Sequence, residues 1–226
     1  MRRAAGLAAV IGGAIAVLVT PLQVMVKYDT GWNVIPRPAW EAMARPMVAP
    51  LVSFGTPVTM WIVYGSVFAV AMALMFAGVL ALRVQARDER DRVRSRALDV
   101  LVVAVLLVLL GDAVHTATWH WGGATLPRPG LNPVATAGYS LLSLGMNLLI
   151  GATLVLGVAG LRRKFLQTWL GVMLVAVGPL GIFLTVTLFP TTPSGGLLVF
   201  SVMMMATGIT MARDRNGRGL VAAGTG

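Results

Sequence analysis

A chain of 226 residues in which 57% are hydrophobic and only 12% charged carries about half the charge of a soluble domain. Its mean hydropathy is +0.83, and the absence of cysteine excludes disulfides, thiolate metal sites and cysteine nucleophiles. The net charge of +10 lies in short blocks between apolar runs, which points to anionic lipid headgroups and away from nucleic acid.

Six apolar runs follow one another, at 5–26, 58–82, 98–118, 136–160, 168–189 and 196–212. Each is close to the roughly 20 residues that an α-helix needs to cross ~30 Å of hydrocarbon. Backbone polar groups must be satisfied internally there, so each run is expected to be a helix. The first run, after Met1-Arg2-Arg3, has the charge pattern of a signal peptide. It meets Pro21-Leu22-Gln23 in place of a small-residue cleavage site, and reads as a retained first helix.

The segment 27–57 contains five prolines, with Pro38 placed to open a short helix and Pro46 to stop it. Trp32, Trp40 and Phe54 fit an interfacial connector. Along the second run Gly65, Ala69, Ala73, Ala77 and Ala81 recur every four residues, a spacing that suits close helix packing. The turn at 83–97 mixes six arginines with Asp88, Glu89 and Asp91 and reads as a solvated basic turn. Leu126-Pro127-Arg128-Pro129-Gly130 echoes Ile35-Pro36-Arg37-Pro38-Ala39, a match short enough to be coincidence. Pro179, between Gly178 and Gly181, should kink the fifth run. Met203-Met204-Met205 reads as flexible core filling.

Of the 18 Lys and Arg, 14 fall on the side of Arg2, Arg83 to Arg96, Arg162 to Lys164 and Arg213 to Arg218. Only Lys27, Arg37, Arg45 and Arg128 fall on the other. The asymmetry makes the first side cytoplasmic, with both termini inside. The expected architecture is an all-α polytopic transmembrane helical bundle of six spans, forming a single integral domain over 1–226. The abundance of Ala, Val, Gly and Arg suggests the cytoplasmic (inner) membrane of a bacterium.

The candidate polar site lies on the third run. Asp112 falls ~21 Å along the helix from residue 98, and an intramembrane carboxylate normally faces the bundle interior and finds a partner. His115 is beside it at i+3. On the fourth run Ser140, Ser143, Asn147 and Gly151 share one face, so Asn147 and Ser143 are the expected counterparts across the bundle. Two readings are open, a proton- or cation-handling pair and an interhelical polar clamp, the second being the simpler. Trp119-His120-Trp121 suits the membrane surface, and His120 lies ~140° around the helix from His115.

Catalytic patterns fail. Gly138-Tyr139-Ser140-Leu141 resembles the serine motif of rhomboid proteases, but no histidine follows His120 to serve that serine. Pro193-Ser194-Gly195-Gly196 resembles the central motif of membrane lipid phosphatases, but has glycine where they need histidine. There is no P-loop, dinucleotide fingerprint or acidic metal cluster, and no catalytic residue, cofactor or metal is called for. The sequence therefore favours a non-enzymatic membrane component or accessory subunit, touching anionic headgroups and either a helix-packing protein partner or a second copy. The alternative is a small proton- or cation-coupled transporter using Asp112 and His115.

Overall fold

A computed structural model describes residues 2–29, 57–86, 92–121, 133–163, 167–188 and 194–213. Six helices account for nearly all of them, with no strand among the described residues: α1 (Arg2–Asp29), α2 (Pro57–Gln85), α3 (Arg92–Trp121), α4 (Pro133–Arg163), α5 (Thr168–Leu188) and α6 (Ser194–Arg213). Each contains or closely matches one of the six apolar runs. The Pro-rich segment 30–56, the turn residues 87–91 and both Pro-Arg-Pro phrases lie outside the described residues.

The helix ends follow local chemistry. Proline is the first residue of α2 and of α4, where its missing N–H costs nothing and its fixed φ suits the first turn. Arginines close α2, α4 and α6, opposite the partial negative charge of the terminal carbonyls. α5 runs through Pro179 without interruption, and Pro179 sits on the exposed face.

Five of the helices are long and apolar enough to cross a membrane. α5 is a shorter apolar helix over Thr168–Phe183, and its full 21 residues reach ~31 Å. Leu18, Val84, Ile182 and Phe183 are more than half exposed, as expected of side chains that face lipid.

Each helix packs against its neighbours in sequence, and α6 returns to α1, closing a ring of six. α6 also reaches α2 and α4 across the interior. Burial follows a seven-residue rhythm. On α3 the buried positions are Arg94, Ala97 and Leu98, Leu101, Ala104 and Val105, Val108, Gly111 and Asp112, His115, and Thr118. The facing stripe of α4 is Gly138, Gly145 and Met146, Leu149, Ala152 and Thr153, then Leu156. A 3.5-residue period is the signature of helices packed nearly antiparallel in a left-handed twist.

That rhythm revises the expected stripe on α2. Residues four apart drift 40° per step, so Gly65, Ala69, Ala73, Ala77 and Ala81 wind off the interface and Ala73 is exposed. Tyr64, Phe68, Met72, Met75 and Val79 are the buried series instead. Met203 and Met204 are buried core residues, as the sequence suggests.

Arg83 at the end of α2 forms a forked ion pair with Asp99 on the first turns of α3. Asp99 is 53% exposed, so water screens the pair. Asp99→Asn is expected to lower stability by no more than ~1 kcal/mol, read from unfolding in detergent.

Candidate functional site

α3 and α4 meet through backbone. A Cβ added at Gly111 would overlap the Leu142 backbone nitrogen and lie 2.8 Å from the Gly138 carbonyl oxygen. A Cβ at Gly138 would lie 2.9 Å from the His115 nitrogen. Reciprocal glycines therefore set the helix separation beside the Asp112–His115 turn. In an apolar solvent such close packing, rather than hydrophobic expulsion, drives helix association.

Asp112 and His115 are turned into the bundle, 5% and 2% exposed, and each interacts with a neighbouring group. Their burial follows from their place on α3. Asp112 occupies the stripe of Leu98 and Val105, and His115 that of Leu101 and Val108, one heptad on in each case. Thr118, also buried, donates its hydroxyl to the His115 carbonyl at 2.6 Å.

Other polar groups lie at the same depth. Gly65 of α2 packs against Thr116, which places buried Tyr64 level with His115 and Thr116. The antiparallel register that sets Gly12 of α1 on Ala71 and Met75 brings buried Thr20 to that depth as well. Three helices thus contribute Thr20, Tyr64, Asp112, His115 and Thr116 to one polar layer. Composition obscured this layer, because single Thr and Tyr residues in separate apolar runs carry no pattern until the register is known.

The structure does not bring the expected counterparts to this layer. Asn147 is exposed, Ser143 is half-buried, and the Asn147 amide donates to the Ser143 carbonyl of its own helix at 3.0 Å. The reason is angular. Asn147 is nine residues from Gly138, or about 180° around α4, and the glycine face is the one drawn against α3. The expected contact from Asn147 to Asp112 or His115 is therefore replaced by an outward-facing polar stripe. Ser140 and Gly151 lie on it, both exposed, and a Cβ at Gly151 would meet nothing within 4 Å among the described residues.

At the opposite end, where the helix-terminal arginines gather, Arg94 is only 6% exposed. It lines a cavity walled by leucine and methionine from α2 to α6. The sequence reading placed Arg94 on a solvated turn. The signal against that was its register, since Arg94, Leu101, Val108 and His115 are successive heptad positions.

Among the described residues no three His, Cys, Asp or Glu side chains gather closely enough to hold a metal ion. α3 continues helically to Trp121, while the side chains of Trp119, His120 and Trp121 lie outside the described residues. No protein-family model, curated protein or solved structure matches the chain.

Were Asp112 an interhelical clamp, its side chain would hold its neighbours in the packed layer. Asp112→Ala is then expected to destabilise the bundle by ~1–2 kcal/mol, the upper range of measured intramembrane hydrogen bonds. Thermal unfolding of the purified variant reads the loss.

Proposed function

We propose that the chain is a non-enzymatic component of a bacterial inner membrane, with its basic end in the cytoplasm beside anionic headgroups, and that it acts through helix contacts within the bilayer. The observation that supports this reading is the polar stripe Ser140, Ser143, Asn147 and Gly151, which the closed ring leaves facing outward. Asn147 lies halfway along the 31 residues of α4, and beyond the bond to the Ser143 carbonyl hydrocarbon at that depth offers nothing to its second N–H and its oxygen. Exposing such groups to lipid is unfavourable, and small residues beside them admit a second helix.

A second copy is the partner that fits. Two copies inserted the same way and related by an axis along the membrane normal meet at equal depth, so Asn147 faces Asn147. A primary amide both donates and accepts, which makes the group complementary to itself. Subunit counting by photobleaching in native-lipid nanodiscs is expected to find two copies per particle, with a larger share of single copies for Asn147→Leu. Single wild-type copies would contradict the reading.

A second reading, a proton- or cation-coupled carrier, is favoured by the polar layer around Asp112 and His115. Charged or titratable groups inside a membrane bundle mark ion pathways often enough to be tested. Reconstituted vesicles under a pH gradient distinguish the two readings. Proton flux abolished by Asp112→Asn supports the carrier, whereas no flux from the folded wild type leaves the layer as a clamp.

A further inference from the structure

We propose that the bundle is built as two three-helix blocks, α6-α1-α2 and α3-α4-α5, and that the Arg83–Asp99 ion pair is a latch between them. Its release opens the seam onto the small cavity that Leu82 and Leu98 line. The inference is independent of the outward face of α4.

Glycine contacts define the blocks. An added Cβ would lie 2.8 Å from the Gly208 carbonyl oxygen at Gly6, 2.5 Å from that of Ala71 at Gly12 and 2.6 Å from that of Ser201 at Gly13. α1 is therefore seated on the backbones of both α2 and α6. In the second block an added Cβ would lie 2.7 Å from the Val108 nitrogen at Gly145 and 2.8 Å from the Val175 nitrogen at Gly157, which seats α4 on α3 and α5. Where a described glycine meets the other block, the nearest atoms belong to side chains, those of Thr116 at Gly65 and of Met146 and Ile150 at Gly196. Side chains can change rotamer as packed helices slide, whereas backbone against backbone holds them in place. The chain itself passes between the blocks only twice, after α2 and after α5.

The cavity and the ion pair both lie on this seam. Leu82, Met203 and Met204 of the first block and Leu98, Leu101 and Leu174 of the second line the cavity. About 30 Å³ of it is open to the centre of a water molecule, which admits a water or two and nothing larger while the blocks stay together. Arg83 follows Leu82 and Asp99 follows Leu98, so the pair ties the blocks beside the cavity wall. Nε and Nη2 of Arg83 donate to the two carboxylate oxygens, but the latch is weak. Asp99 is 53% exposed, so water screens the pair. Nη1 of Arg83 is buried with no hydrogen-bond partner among the described residues, a cost that release removes. A tie of this strength leaves the open seam within reach of local fluctuation.

The test uses the full chain in a neutral maltoside detergent, with a single cysteine as reporter and iodoacetamide, a small neutral thiol reagent, as probe. Leu101→Cys reads the seam. Ala152→Cys, on the stripe of α4 packed against α3, reads the inside of one block. Both parent residues are buried and at similar depth, nine residues from the start of α3 and eleven from the end of α4. Adding Asp99→Asn is expected to speed alkylation of Leu101→Cys about 2- to 5-fold, the range open to an exposed ion pair, and to leave Ala152→Cys unchanged. The exchanged pair, Arg83→Asp with Asp99→Arg, should return the slow rate. Should Asp99→Asn fail to fold, Arg83→Gln breaks the same pair and is expected to act alike. An unchanged rate at Leu101→Cys, an equal rise at Ala152→Cys, or an exchanged pair that labels as fast as Asp99→Asn would overturn the proposal.

Discussion

Gly111→Val is expected to separate α3 from α4 and to be the most damaging single substitution of a described interior residue. Its Cβ would occupy space already filled by the Leu142 nitrogen and the Gly138 carbonyl oxygen. Both are backbone atoms, so relief requires a helix to move rather than a side chain to rotate. Overpacking of a well-packed interface costs ~1–3 kcal/mol and occasionally more, and a branched side chain against backbone belongs at the upper end. The same shift would open the polar layer, because the His115 nitrogen packs on Gly138. Gly65→Ala should be milder, since the atoms it meets belong to the Thr116 side chain. Unfolding midpoints of the three proteins in one detergent would order them wild type, Gly65→Ala, then Gly111→Val. Equal midpoints would show that the glycine contact does not set the helix separation.

Gly151→Leu should behave in the opposite way, leaving the fold intact and abolishing self-association. Nothing among the described residues lies within 4 Å of a Cβ there, so the isolated bundle has no reason to resist the change. A helix approaching along Ser143 and Asn147 would meet the new side chain directly. Asn147→Leu removes the amide pair but leaves the groove, and should weaken association ~10-fold, given 1–2 kcal/mol for such a bond in model membrane helices. Sedimentation of the detergent complexes reads both. Loss of the folded protein in Gly151→Leu would show that this face has a neighbour within the bundle.

The contrast between these glycines shows what the sequence reveals and what it hides. The number and positions of the described helices were legible, because a run of about 20 apolar residues has one satisfactory backbone solution in hydrocarbon. Their rotation was not. In water the buried face announces itself by hydrophobicity, but here Leu106, Leu110 and Val103 of α3 are exposed to a medium as apolar as the interior. The remaining cues are small and polar residues, and on α4 they conflict. Ser140, Ser143 and Asn147 suggest one inward face, whereas Gly138 and Gly145 suggest the opposite one. Backbone approach at Gly111 and Gly138 decided the outcome. On α3 the cues agree, so the inward placement of Asp112 and His115 was readable. Arg94 was obscured by the charged turn beside it, although its heptad spacing to Leu101 marks it as interior.

The chain contains no cysteine, so a single one introduced on the outer face of α4 reports that face alone. Oxidative cross-linking of Gly151→Cys in intact membranes tests the central claim most directly. Leu18→Cys on the lipid-exposed surface of α1 serves as the control, its parent residue being 69% exposed. A disulfide-linked dimer from Gly151→Cys, absent from Leu18→Cys and reduced when Asn147→Leu is added, is the predicted result. A monomer at Gly151→Cys, or equal dimer from both positions, would contradict it.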